Sequence, residues 1–268
     1  MSIRLVSIDI GKKNFAQYVE DCSVDKLLQL EKEYNSIPTS HRRKVKGVMN
    51  AQIENIIHEI YLSGTRVQTG VYDLRKDKTS DNLDMDTRVN LLLHLDKYEY
   101  LWTTCDIFVI EQQYFKTWSG RKKRSAGTEA NVDAIKIGEA TLMWFLERYP
   151  FKKTMYFGSQ FKTQILGAPW KMTKHQRKKW SEAQTRKIYE MRKDTDMIEL
   201  FCLQDRIYRK HINTDQKIQT YLASFKGEDA DAKVLAKKVV RERQKLDDIG
   251  DACTQAQAFK FKHMVACF

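Results

Sequence analysis

Two short apolar runs that each end on a carboxylate constrain this chain more than any other feature. Ile3-Arg4-Leu5-Val6-Ser7-Ile8 leads into Asp9 and a turn at Gly11, and Asp106-Ile107-Phe108-Val109-Ile110 leads into Glu111. Runs of this length, rich in β-branched and aromatic residues, read as buried strands. A carboxylate at the end of such a strand is costly to bury unless something pairs with it. If the two strands are neighbours, both acids emerge at one edge of one sheet. Each also has a plainer reading: Asp9 can cap the turn at Gly11, and Glu111 can face solvent.

The remaining elements follow from pattern. Residues 14–19 read as a strand returning from Gly11-Lys12-Lys13, and residues 70–74 as a third. The polar stretch 36–46 reads as an exposed insertion. Leu91, Leu95, Tyr98 and Trp102 keep helical spacing, with Asp84 or Asp86 as N-cap. Thr128 can cap a long helix carrying Val132, Ile135, Leu142, Leu146 and Tyr149, stopped by Pro150. Residues 154–157 read as a fifth strand. Residues 171–212 are basic and helix-prone without a regular stripe. A last helix begins near Asp247, with Ala252, Ala256 and Phe259 inward. Three strands, helix, strand, helix, strand and helices predict an α/β fold with a five-stranded mixed sheet flanked by helices. The expected organisation is one domain over 1–268, with insertions at about 36–66 and a basic helical one at about 171–240.

Composition narrows the function. The chain has 268 residues, is 42% hydrophobic and carries a formal charge of +12. That excess of Lys and Arg favours a polyanionic partner, because each phosphate neutralised releases counterions; a merely soluble basic protein is the bland alternative. Five scattered cysteines (Cys22, Cys105, Cys202, Cys253, Cys267) and dispersed histidines argue against a disulfide framework and against zinc. No apolar run is long enough for a membrane span, and the start reaches Asp9 too soon for a signal peptide. The expectation is a soluble, intracellular protein.

The end of the chain adds Asp248 and Asp251, spaced i, i+3 and so on one face of a helix, with Asp247 beside them. Like charges so placed repel, and a cation between them would turn that penalty into binding. The alternative is that all three favour the helix N-terminus through its dipole. Together with Asp9 and Glu111 they make an all-oxygen set of the kind Mg²⁺ or Mn²⁺ prefers. Two such ions about 4 Å apart can activate a water and stabilise the leaving oxygen of a phosphodiester.

At these residues the sequence resembles the RuvC-type Holliday junction resolvases of the RNase H-like superfamily, most of all the poxvirus-type branch of large DNA viruses. The segments that carry the resemblance are Ser7-Ile8-Asp9-Ile10-Gly11-Lys12-Lys13-Asn14, Phe108-Val109-Ile110-Glu111-Gln112-Gln113 and Lys245-Leu246-Asp247-Asp248-Ile249-Gly250-Asp251-Ala252. The resemblance implies a tetrad of Asp9, Glu111, Asp248 and Asp251 that is both catalytic and metal-binding, with Mg²⁺ (Mn²⁺ substituting) as cofactor. Asp247 is the poorer ligand because the family's helix pair is spaced DxxD. It further implies a homodimer on four-way DNA junctions, an interface near Leu142 and Leu146, a viral setting at sites of DNA replication, and a substrate-binding lysine at Lys162. The long basic stretch 171–210 and the insertion at 36–46 depart from the pattern and leave substrate preference open.

Lys12 and Lys13 beside Asp9, and the run Arg121, Lys122, Lys123 and Arg124 after the Glu111 strand, are expected to contact phosphates near the cut. Tyr114 or Trp118 can stack on an unpaired base. Lys174, Arg177, Lys178 and Lys179 form a second patch suited to a DNA arm. Solvated surface is the plainer account of both patches. The leading reading is a structure-selective DNA endonuclease with no membrane and no nucleotide cofactor. A non-catalytic nucleic-acid binder of the same fold competes with it. An actin-like ATPase or sugar kinase would need a second DxG and a Gly-rich nucleoside site, and neither is found.

Overall fold

The computed structural model describes residues 1–42, 44, 48–77, 83–113, 131–158, 161–209 and 246–267. Tyr114, Trp118, the run Arg121 to Arg124, Thr128 and the stretch 210–240 lie outside the described residues. β1 (Ser2–Asp9) and β2 (Phe15–Ser23) form an antiparallel hairpin, and β3 (Gly64–Tyr72) pairs antiparallel with β2 on its far side. β4 (Ile107–Gln112) lies parallel to β1, and β5 (Lys153–Gly158) parallel to β4. The order is β3-β2-β1-β4-β5, with β2 running against the other four. This is the mixed, helix-flanked, five-stranded sheet expected.

Strand parity decides which way each acid faces. In β1, Val6 and Ile8 pack against the core on one side of the sheet, while Leu5 packs on the other. In β4, Phe108 and Ile110 take the first side and Ile107 and Val109 the second. Asp9 and Glu111 continue the second series, because alternate side chains share a face. Ile8 is level with Ile110, so the two carboxylates are the next rung.

The first face is covered by α3 (Met85–Lys97), α4 (Glu99–Trp102) and α5 (Val132–Arg148). The second is covered by α1 (Val24–Ser36), α2 (Ala51–Leu62), α7 (Lys174–Arg192), α8 (Thr195–Arg209) and α9 (Leu246–Lys260). The short α6 (Phe161–Ile165) follows β5. Helix α9 lies directly over β1 and β2 and is buried nearly all round. Its inward Ala252, Ala256 and Phe259 are as expected, yet Thr254, Gln255, Gln257 and Lys260 are equally buried.

Several expectations are corrected. Two helices, α1 and α2, intervene between the second and third strands where the sequence placed none, and they stand either side of the stretch 36–46, most of whose described residues are exposed as expected. Their signals are local: Ser23 and Asn50 accept cap hydrogen bonds, and Leu27, Leu30 and Tyr34, then Ile53, Ile56, Ile57 and Ile60, form buried stripes. β2 runs on to Ser23, and β3 begins at Gly64 rather than residue 70. The helix expected through Trp102 breaks at Tyr98, whose hydroxyl meets that of Tyr72 at 2.8 Å. The break turns Trp102 inward, where its indole N–H donates to the Leu95 carbonyl at 2.8 Å. Asp84 is the cap of α3, and Asn131 caps α5. The stretch beginning at Lys171 forms two regular helices. Its stripe was hidden because α7 buries Ser181 and Thr185 as well as Ile188 and Tyr189. At the crossing of α7 and α9, a Cβ on Gly250 would lie 3.1–3.2 Å from backbone atoms of Ser181 and Glu182. Glycine thus permits a contact that a side chain would push apart.

A charged cluster is sealed between these layers. Glu20 of β2 is fully buried, with Lys260 Nζ and Arg192 Nη1 each 2.9 Å from it and Gln257 donating at 3.1 Å. Lys260 also donates to the Ile60 carbonyl at 3.1 Å and Arg192 to that of Tyr61 at 2.5 Å, so both cations meet the C-terminal end of α2, where positive charge is favoured. Burial pushes the Glu20 carboxyl up, but Lys260 and Arg192 outweigh it and hold the pKa at about 2. Glu20→Gln should destabilise the protein by about 3–5 kcal/mol, since it strands two buried cations. With the folded pKa below the unfolded one, the wild-type contribution is complete above about pH 4.5 and fades as pH falls toward about 2. Urea melts of both proteins across that range test this, and a variant as stable as wild type would contradict it.

Candidate active site

Three carboxylates converge on one buried ammonium. Lys162, on α6 just beyond β5, places Nζ 2.9 Å from Glu111 Oε1, 3.5 Å from Asp9 Oδ1 and 3.6 Å from Asp251 Oδ2. All but Asp251 are under a tenth exposed. The sheet register supplies Asp9 and Glu111, and α9 lowers Asp251 onto them from the second face. Gln113 donates to the other oxygen of Glu111. A second ammonium stands alongside: Lys178 of α7 pairs with Asp247 and lies 3.3 Å from Asp248 Oδ1.

Burial and mutual repulsion set the protonation of this group. Asp9 is raised well above the usual carboxylate range, first by burial and then by the charge of Glu111. Glu111 is also pushed up by burial, but Lys162 reverses the balance and holds it low. Burial works against the charge of Lys162, and Asp251, Asp9 and Glu111 more than compensate, so its proton is held firmly. Asp248 rises to about 7, by burial and by the neighbouring Asp247. Like-charged carboxylates brought together keep a proton unless a cation replaces it.

Three of the four predicted acids, Asp9, Glu111 and Asp251, meet on Lys162, while Asp248, one helical turn from Asp251, faces Lys178. As they stand they are not a finished ligand cage: among the described residues, no group of three or more Asp, Glu, His or Cys is disposed to hold a metal. Lys162 is interposed among them. Their chemistry nevertheless fits a hard divalent cation, being carboxylate oxygen throughout. Asp248 Oδ2 is moreover buried without a hydrogen-bond partner. Asp9, Glu111, Asp248 and Asp251 are the side chains that would hold such an ion, and Asp247 turns to Lys178 instead.

The basic residues divide. Lys12 is engaged with Asp133 at 2.6 Å, while Lys13 is exposed. Lys174, Arg177 and Lys179 are exposed on the first turns of α7. Lys178, read from sequence as part of that patch, faces the aspartates. Arg121, Lys122, Lys123 and Arg124 lie outside the described residues. Sequence reasoning did not anticipate Lys162 or Lys178 as counter-ions of the acids. It also passed over Trp170, which stands exposed between α6 and α7 beside Lys171, a non-glycine residue at φ 64°.

No protein-family model matches the chain. It is similar to an uncharacterized protein of Invertebrate iridescent virus 3, 25% identical over 186 residues, which cover 66% of this chain and 81% of the other. An uncharacterized protein of Invertebrate iridescent virus 6 is 28% identical over 217 residues, 73% of this chain and 79% of that one. The crystal structure of Fowlpox virus resolvase with its substrate Holliday junction DNA aligns over 96% of this chain and 97% of that one, at 13% identity and a TM-score of 0.36.

If Lys162 neutralises the cluster, Lys162→Met should lose about 3–5 kcal/mol in EDTA, because three carboxylates lose their shared partner. Adding Glu111→Gln should restore part of the loss, a coupling that a double-mutant cycle in urea reads directly. Additive losses would show that the ammonium and Glu111 do not act together.

Proposed function

We propose that this chain is a structure-selective DNA endonuclease that resolves four-way junctions and other branched DNA by divalent-metal-dependent phosphodiester hydrolysis. The observation that carries the reading is the convergence of two strand-end carboxylates with Asp251 on a single ammonium, with Asp248 one helical turn away. A cluster serving stability alone would not need so many buried acids at one edge. Mg²⁺ or Mn²⁺, when bound there, would supply an activated water and stabilise charge on the leaving oxygen. The chain's own residues do the rest. Asp9 and Glu111 would hold the ion from the ends of β1 and β4, and Asp248 and Asp251 would hold it from α9. Lys162, held protonated, is a donor for a phosphate oxygen drawn to the same edge.

Substrate contact is supported by the charge of +12 and by the exposed Lys174, Arg177 and Lys179, which flank the lysine that faces Asp248. Trp170 is available for stacking on an unpaired base. Val89, Leu92 and Leu93 of α3 are exposed beside Met143 and Leu146 of α5, an apolar surface suited to a homodimer with two sites on opposite strands. The two iridescent-virus relatives favour a viral setting. No helix among the described residues is long and apolar enough to cross a membrane. One observation favours a second reading, a non-catalytic DNA binder: Lys162 already pairs with Asp9, Glu111 and Asp251.

The deciding experiment is cleavage of an end-labelled four-way junction with Mg²⁺, Mn²⁺ or EDTA, beside duplex and flap controls. Paired symmetric nicks are expected, lost in EDTA and lost in Asp248→Asn with binding retained. Tight binding without cutting under either metal would establish the binder instead. Replacing Lys174, Arg177 and Lys179 with Ala should flatten the dependence of log K on log salt by about 0.9 for each phosphate no longer neutralised. An unchanged slope would remove α7 from the interface.

A further inference from the structure

We propose that Gln255 is a positioning residue: it sets the register of α9 against the β1–β4 pair, so that the two helix aspartates meet the two strand carboxylates. The proposal rests on the metal-dependent nuclease reading and deepens it. Gln255 is fully buried, and its Nε2 donates to the Ile8 carbonyl at 3.2 Å and to the Val109 carbonyl at 3.4 Å. These carbonyls belong to neighbouring strands. One immediately precedes Asp9, and the other lies two residues before Glu111.

The spacing matches the site. Gln255 follows Asp251 by four residues, a rise of about 6 Å along the helix. Val109 precedes Glu111 by two residues, a rise of about 6.6 Å along a strand. One turn of α9 thus separates Gln255 from Asp251, and one or two strand residues separate the clamped carbonyls from Asp9 and Glu111. With Gln255 anchored, Asp251 lies 3.6 Å from the Lys162 ammonium that also pairs with Glu111, and Asp248 lies one turn beyond.

Hydrogen bonds tie α9 to the sheet: further along, Gln257 and Lys260 reach Glu20 of β2, and next to the acids Gln255 reaches β1 and β4. Beside Gln255 on this helix stand Ala252 and Ala256, small buried residues of the core. Hydrogen bonds fix position where small apolar side chains permit sliding, and a buried amide donates two protons in a defined plane. The Gln255 carbonyl oxygen and the Ser7 hydroxyl are both buried without partners, so the amide is not held by a wider polar network. Its two strand contacts are the hydrogen bonds that orient it.

The test compares the wild-type chain with Gln255→Met, which keeps length and loses the donors. Ala258→Gly serves as control, weakening the same helix without touching the strand carbonyls. Mn²⁺ binding to each protein is measured by calorimetry, beside four-way-junction binding in EDTA and thermal melts. The expected result is Mn²⁺ affinity at least tenfold weaker in Gln255→Met, with junction binding in EDTA unchanged. Ala258→Gly should lower the melting temperature while binding Mn²⁺ as wild type does. If Gln255→Met does not fold, Gln255→Asn keeps the amide but falls one methylene short, and should weaken Mn²⁺ several-fold. A foldable Gln255 variant with Mn²⁺ affinity within twofold of wild type overturns the positioning role and leaves the nuclease reading intact. A wild-type protein that binds no Mn²⁺ overturns that reading, and the positioning role with it.

Discussion

Five buried or half-buried carboxylates at one edge of a sheet cannot coexist without positive charge among them, and two lysines supply it. Lys162 answers Asp9, Glu111 and Asp251, while Lys178 answers Asp247 and Asp248. Close charges of like sign, taken out of water, repel by several kcal/mol even at the effective dielectric of a protein surface. The elements around the site can be understood as means of delivering compensation. α6 is a single short helix that carries Lys162 inward from the end of β5. α7 approaches α9 closely enough, at Gly250, for Lys178 to reach the aspartates. Either ammonium is a charge that a divalent ion would have to displace or share.

The Glu20 cluster solves a different problem on the same face. Glu20 is fully buried, with Lys260, Arg192, Gln257 and the Tyr18 hydroxyl around its carboxylate. Its partners come from β2, α7 and α9, and its cations reach the carbonyl end of α2. Such a network contributes specificity of packing as much as net stability, since a buried ion pair recovers little beyond its own desolvation. The result is a fixed platform from which α9 can present its first turn to the site.

Much of this was legible in the sequence because it depended on short-range pattern. Parity along Leu5 to Asp9 and Ile107 to Glu111 places both acids on one face, and the DxxD spacing of Asp248 and Asp251 places both on one side of a helix. What escaped was long-range or polar. Lys162, which the resemblance named only as a substrate-binding lysine, is 153 residues from Asp9 and 51 from Glu111, and nothing in its own neighbourhood says that it pairs with them. Lys178 sits in a run of basic residues whose other members are exposed. Gln255 and Glu20 are polar residues on largely buried elements, where hydrophobic periodicity has no voice. α1 and α2 are hidden for another reason: each is short, and the polar stretch 36–46 separates the Leu27, Leu30 and Tyr34 stripe from the isoleucine stripe, so no long periodicity runs through them. The Arg121–Arg124 run, by contrast, falls outside the described residues, so its expected phosphate contacts stand only as a reading of sequence.

The central claim is that Asp9, Glu111, Asp248 and Asp251 form one divalent-cation site. Anomalous diffraction from a crystal of the protein soaked in Mn²⁺ tests it most directly. The account predicts an anomalous peak bounded by these four carboxylates, with the Lys162 ammonium moved off Glu111. Density without such a peak at saturating Mn²⁺, and Lys162 still seated among the acids, would contradict it.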